Sequence, residues 1–181
     1  MIITISGSPG SGKSSVGKII AKKLGYTFLS IGDLRGKIAI DKGITIDELN
    51  KIGEKENWPD KLTDDYQREL AKTHDNFVVE GRMSFYFIPQ SFKIFLTADK
   101  AIAAKRVLQN RKDREDEGYI ASPEEAEQKI KLRVESDKLR YQKYYGVDYT
   151  DPKHYDFVLD TTLPSAEEVS AAILDKITKK Q

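Results

Sequence analysis

Eight residues near the start of the chain restrict its fold more than any other segment. Residues 7–14 read Gly-Ser-Pro-Gly-Ser-Gly-Lys-Ser, so two glycines enclose four residues before a lysine and a serine. The apolar run at 2–6 predicts a β-strand before this turn, and the apolar spacing over 12–24 predicts a helix after it. A glycine-rich turn between a strand and a helix predicts a P-loop, whose backbone N–H groups surround phosphate oxygens.

The residue types of this turn suit the binding of a nucleoside triphosphate. Glycines let the backbone approach phosphate oxygens closely, and the N-terminus of the following helix favours anions. Lys13 is expected to contact the β- and γ-phosphates, and the hydroxyl of Ser14 is expected to be a ligand of Mg²⁺. The residues expected to contact ATP from this turn are Gly7, Ser8, Pro9, Gly10, Ser11, Gly12, Lys13, Ser14 and Ser15. A dinucleotide-binding turn is disfavoured because its third glycine would have to stand at Ser15.

The rest of the chain alternates between strand and helix patterns. Further strands are predicted at 27–30, 77–80, 92–97 and 157–159, with helical segments between them. This order predicts an α/β fold, the three-layer P-loop fold with a five-stranded parallel sheet. The predicted domain is a single one, with a core at 1–32, 75–109 and 123–181, a helical insert at 33–74 and a charged lid at 110–122. Within the insert, Pro59 is predicted to end one helix before another forms over 61–72.

Composition excludes several classes of function. The 181 residues carry a formal net charge of +1, so no overall field favours nucleic acid or an anionic membrane as a partner. The absence of cysteine excludes disulfides and thiolate zinc sites. Apolar runs are too short to cross a bilayer, and Met1 is not followed by a signal-peptide pattern. A cytoplasmic protein, acting as a monomer on a small molecule, is expected.

Four more segments resemble a known family. Ser30-Ile31-Gly32-Asp33 follows the second strand, Val79-Glu80-Gly81-Arg82 ends the third, and Leu159-Asp160-Thr161-Thr162 ends the last. The fourth, Arg-Val-Glu-Ser-Asp-Lys-Leu-Arg-Tyr, occupies 133–141 in a long predicted helix. Together with the P-loop, this set resembles the nucleoside monophosphate kinases, and most closely the short cytidylate kinases, over nearly the whole chain. The resemblance implies that ATP, with Mg²⁺, phosphorylates CMP or dCMP.

The resemblance also implies roles for individual residues. Glu80 would hold Mg²⁺ through water, and Arg106 and Arg111, with Arg114, would approach the triphosphate from the region of the lid. The residues implied to bind the acceptor include Asp33, Arg35, Gly81, Arg82, Arg133, Asp137 and Arg140. The implied catalytic residues are Lys13, Arg82, Arg111, Arg133 and Arg140.

Two positions depart from the family's pattern. Gly36 stands where an arginine commonly contacts the acceptor phosphate, so either Arg35 takes that role or the contact is lost. Met83 stands where larger cytidylate kinases carry an acid next to the arginine, so the amino group of cytosine needs another acceptor.

Asp64, Asp65 and Gln67 are the candidates for this base recognition, on a helix expected to face the acceptor pocket. An equally weighted interpretation is that Asp64 and Asp65 only place charge in the first turns of that helix. Two other functions stay open at this point. One is a kinase for AMP, UMP or a small metabolite, and the other is a regulatory P-loop protein that binds nucleotide.

Overall fold

The computed structural model describes residues 1–110 and 120–179. In chain order the elements are β1 (Ile2–Gly7), α1 (Lys13–Leu24), β2 (Thr27–Ser30), α2 (Ile31–Asp41), α3 (Ile46–Lys55), α4 (Trp58–Thr73), β3 (Phe77–Glu80), α5 (Ser84–Phe87), β4 (Phe92–Thr97), α6 (Lys100–Asn110), α7 (Pro123–Tyr145), a 3₁₀ turn (Pro152–His154), β5 (Phe157–Asp160) and α8 (Ala166–Thr178). Arg111 and Arg114, and most of the predicted lid, lie outside the described residues. No helix in the described ranges combines the length and apolar character needed to cross a membrane.

The five strands form one parallel sheet in the order β2-β3-β1-β4-β5, which confirms the predicted α/β fold. Strand β1 is central and every one of its residues is buried, because helices cover both faces of the sheet. Ile5 pairs with Glu80, and Gly7 pairs with Leu96. The C-terminal ends of β1, β3 and β4 therefore lie side by side, and the loops that follow them converge at one edge.

Each face of the sheet has its own apolar core. On one face α1 and α8 pack against β1 and β4, with Ile20 and Ile173 fully buried. On the other face the aromatic residues Phe85, Tyr141 and Tyr149 pack against β3 and β4. This second core includes the C-terminal part of α7, so the polar face of that helix is held at a constant position relative to the P-loop.

Helices α2, α3 and α4 follow β2 and precede β3 in the chain, and they contain a small core of their own around Leu49. A capping box of Thr45 and Glu48 begins α3. The predicted break between two helices is present, but it falls at 56–57, before Pro59, and the second helix begins earlier than the predicted residue 61. Helix α4 begins at Trp58, and Pro59 lies in its first turn, where its missing N–H would have no partner within the helix.

Candidate active site

A cavity of about 690 Å³ opens at the edge where β1, β3 and β4 end. Among the predicted site residues, those on its wall are Pro9, Gly10, Gly12, Lys13, Ser14, Ser15, Asp33, Arg35, Glu80, Gly81, Arg82, Arg106, Arg133 and Asp137. Those that do not line it are Gly7, Ser8, Ser11, Asp64, Asp65, Gln67 and Arg140. One cavity therefore brings together the P-loop, the end of β3, helix α7 and the α2–α3 part of the insert.

The P-loop adopts a backbone conformation that strongly favours glycine. Gly10 and Gly12 have φ angles of 77° and 80°, in the left-handed region. A Cβ atom at Gly10 would lie 2.4 Å from the carbonyl oxygen of Ala103, so the turn also fits closely against α6. The ammonium of Lys13 donates to the carbonyl oxygen of Ser8 at 2.7 Å. Burial lowers the pKa of Lys13 to about 7, and the nearby charge of Arg82 is the second cause.

Oxygen atoms converge on Glu80 beside the P-loop. The hydroxyls of Ser14 and Ser30 both donate to Oε1 of Glu80, each at 2.7 Å. Magnesium prefers oxygen ligands and keeps several waters and phosphate oxygens around it, so this donor set fits the ion. In the described ranges no cluster of three or more His, Asp or Glu side chains offers an all-protein metal cage. The hydrogen bond from Ser30 to Glu80 was not predicted. Ser30 is also the N-cap of α2, where its hydroxyl accepts from the N–H of Asp33, and this position was the available sequence signal.

An alternating set of charges joins the end of β3 to α7. Nε of Arg82 pairs with one carboxylate oxygen of Asp137, and a terminal nitrogen of Arg140 pairs with the other. Burial alone would raise the pKa of Asp137, but the guanidinium groups of Arg82 and Arg140 hold it below its usual range. Arg82 and Arg133 reach the cavity wall. Arg133 also contacts Asp47 of α3 at 3.5 Å, so the wall joins α7 to the insert.

Arg140 differs from the other predicted arginines because it lies behind the cavity wall. It is 1% exposed, and its guanidinium lies between Asp137 and Asp60 of α4. Gly53 leaves room for it, since a Cβ atom there would lie 2.9 Å from Cδ of Arg140. In this structure Arg140 joins α7 to the insert and is not placed to contact a molecule in the cavity.

Arg35 is buried on the cavity wall, next to the buried Gly36. One terminal nitrogen donates to Asp60 at 2.9 Å and to the carbonyl oxygen of Pro59 at 3.1 Å. The other terminal nitrogen donates to Oδ1 of Asn50 at 3.0 Å. The insert therefore presents a guanidinium at position 35, and three groups of the insert fix its orientation.

The structure corrects the expectation that Asp64, Asp65 and Gln67 together face the acceptor pocket. Successive residues of a helix point about 100° apart, and Asp65 is exposed, where it pairs with Lys61 and Arg68. Asp64 is buried and accepts a hydrogen bond from the hydroxyl of Tyr145. The buried carboxamide of Gln67 accepts from the hydroxyl of Ser84 at 2.6 Å. None of the three lines the cavity.

Asp64 makes the stability of the protein dependent on pH. Burial raises its pKa to about 7, against the hydrogen bond from Tyr145, which lowers it. Because the folded state holds this proton more tightly, stability is lost as the pH rises from about 4 to about 7. We expect Asp64→Asn to be more stable than the wild type at pH 8, by at most about 4 kcal/mol, and to approach it near pH 4. Urea unfolding across this range measures the difference.

Asp65→Asn is the matched control for this prediction, because it removes the same charge from an exposed position on the same helix. Its free energy of unfolding is expected to stay within about 1 kcal/mol of the wild type at both pH values. An Asp64→Asn protein less stable than the wild type at pH 8 would show that the ionised carboxylate stabilises the fold.

The sheet order and the P-loop cavity define the class of P-loop kinase folds. A shikimate kinase from Bacteroides thetaiotaomicron shares the fold, with a TM-score of 0.67, 18% sequence identity and coverage of 99% of this chain and 98% of that one. The model of the cytidylate kinase-like family matches residues 2–163, and the chain belongs to this family.

Two relatives named cytidylate kinase span almost the whole chain. The protein from Archaeoglobus fulgidus is 35% identical over 182 residues, which cover 100% of this chain and 97% of the relative. The protein from Natronomonas pharaonis is 38% identical over 175 residues, which cover 96% of this chain and 87% of the relative.

Proposed function

We propose that the protein transfers the γ-phosphoryl group of ATP to CMP or dCMP. The observation that carries the proposal is a single cavity lined both by the P-loop and by Arg35, Arg82 and Arg133. In this proposal two polyanions bind there together, one held by the P-loop and the other by the arginines. The family and the relatives named cytidylate kinase support CMP as the acceptor.

The donor side of the cavity is suited to ATP. Lys13 would bind the β- and γ-phosphates, whose negative charge would favour its protonated form. Arg106 would lie beside them, and its guanidinium donates a hydrogen bond of 2.7 Å to the carbonyl oxygen of Thr161. Ser14 and Glu80 would hold Mg²⁺, which neutralises charge on the phosphates when it is bound with ATP.

The acceptor side supplies charge and orientation. Arg82 and Arg133 would grip the phosphate of CMP, since a guanidinium can donate two parallel hydrogen bonds to phosphate oxygens. Asp137 fixes Arg82 through an ion pair, which limits the rotamers that the bound arginine must give up. The acceptor oxygen is already ionised at neutral pH, so the protein needs no general base. Its contribution is to align the two substrates and to stabilise charge on the transferred group.

An acceptor panel tests this function directly. Release of ADP from ATP is measured with CMP, dCMP, UMP, AMP and shikimate as separate acceptors. We expect kcat/KM for CMP or dCMP to exceed that for every other acceptor by about tenfold or more. A preference for AMP or UMP would show that this nucleotide, and not CMP, is the acceptor. A preference for shikimate would show that the acceptor is not a nucleotide. ADP release that no acceptor stimulates would overturn the kinase proposal.

A further inference from the structure

We propose that Asn50 recognises the base of the acceptor and that Arg35 fixes the orientation of its carboxamide for this purpose. The inference rests on the proposed function, in which the acceptor is a pyrimidine nucleoside monophosphate. Asn50 lies on α3, is 6% exposed and lines the cavity. Ile46, one turn earlier on the same helix, also lines the wall and adds an apolar surface that suits a base.

The contact with Arg35 settles which way the carboxamide points. A guanidinium only donates hydrogen bonds, so the atom 3.0 Å from Arg35 must be the oxygen Oδ1 of Asn50. Arg35 cannot easily turn away, because Asp60 and the carbonyl oxygen of Pro59 hold its other terminal nitrogen. Within residues 1–110 and 120–179 no acceptor engages the Nδ2 amino group of Asn50. This leaves two N–H donors and one lone pair of Oδ1 for a ligand.

An amide of fixed orientation distinguishes cytosine from uracil. Cytosine has an acceptor at ring N3 next to an exocyclic amino donor, whereas uracil has an N3–H donor next to a carbonyl oxygen. Nδ2–H can donate to N3 of cytosine while Oδ1 accepts from the amino group. Against uracil the same pair places donor against donor and oxygen against oxygen. An amide free to flip would accept either base, so the bond from Arg35 creates the selectivity.

The carboxylates on the cavity wall are less suited to this role than the carboxamide of Asn50. Both oxygens of Asp137 are paired with arginines, and Oε1 of Glu80 accepts from two serine hydroxyls beside the P-loop. Asp33 is exposed, so water competes with any base for its oxygens. Asn50 combines burial, a fixed orientation and donors that no described residue engages in one side chain.

The test is the ratio of kcat/KM for CMP to kcat/KM for UMP at saturating ATP. Asn50→Ala removes both contacts, and we expect the ratio to fall by about tenfold or more. Asn50→Asp keeps an oxygen for Arg35 but replaces the donor by a second acceptor, which suits N3–H of uracil. We expect a larger fall in the ratio, with kcat/KM for UMP above its wild-type value. A variant that only loosened the insert would lower both values together.

Two further variants sharpen the comparison. Lys51→Ala changes the exposed neighbour on α3 and is expected to leave the ratio unchanged. Asp64→Asn tests the alternative that the base is recognised from α4. Urea unfolding of each variant shows that it is folded.

The outcomes separate this inference from the proposed function. A wild type that prefers CMP, with an unchanged ratio in folded Asn50→Ala and Asn50→Asp, would overturn the role of Asn50 and leave the kinase proposal standing. A change of ratio in Asp64→Asn that exceeds the change in both Asn50 variants would move base recognition to α4. A wild type that phosphorylates neither CMP nor UMP would overturn the proposed function, and this inference with it.

Discussion

Lys13→Met is expected to lower kcat by at least about a thousandfold in a protein that stays folded. The proposed function gives the ammonium of Lys13 the β- and γ-phosphates as partners, and such a charge acts most strongly where water is excluded. The fold does not need this charge, because burial opposes it strongly enough to lower the pKa of Lys13 to about 7. Methionine has a similar length and no charge, so its burial removes that cost.

Lys23→Met, at an exposed position near the end of the same helix, is the matched control and is expected to keep wild-type turnover. The assay of ADP release measures kcat for both variants, and urea unfolding measures their stability at the same pH. A folded Lys13→Met protein that keeps more than about a tenth of wild-type turnover would remove the P-loop lysine from the mechanism.

The parts of the fold that could be predicted from sequence depend on local patterns. The P-loop segment predicts its strand, turn and helix together, because Gly10 and Gly12 are required by the turn itself. Strands β3 and β4 match their predicted bounds, since buried parallel strands consist of short apolar runs. Helices α3 and α8 start at capping boxes that are visible in sequence, because Thr45 and Ser165 are each followed three residues later by a glutamate.

The parts that could not be predicted depend on which side chains meet across the fold. Arg140 shares a helix face with Arg133 and Asp137, but that spacing does not show that Asp60 of the insert covers one end of the face. Asn50 has no local motif, and its contact with Arg35 joins residues 15 apart in sequence on two helices. The roles of such residues depend on tertiary contacts, and a single sequence does not show which distant side chains meet.

Arg82→Ala is expected to raise the KM for CMP by about 10- to 100-fold and to lower kcat, while the Kd for ATP stays within about twofold. A charge-assisted hydrogen bond to a phosphate contributes about 1.5–3 kcal/mol, which sets this range. Binding of ATP is expected to change little, because in the proposed function Lys13 and the P-loop backbone hold ATP. The fold is also spared in large part, since Arg140 still compensates the charge of Asp137 when Arg82 is removed.

Arg140→Ala provides the contrast, because it removes a buried charge that lies behind the wall. Asp137 keeps Arg82 and Asp60 keeps Arg35, but two buried ion pairs and the packing of a fully buried side chain are lost at once, and breaking a buried pair costs up to about 3–5 kcal/mol. We therefore expect Arg140→Ala to reduce the free energy of unfolding far more than Arg82→Ala does. Steady-state kinetics with CMP, direct ATP binding and urea unfolding of both variants give the comparison. Equal losses of affinity for ATP and CMP in Arg82→Ala would contradict the assignment of Arg82 to the acceptor. An Arg140→Ala protein of wild-type stability would show that the buried pairs do not hold the insert to α7.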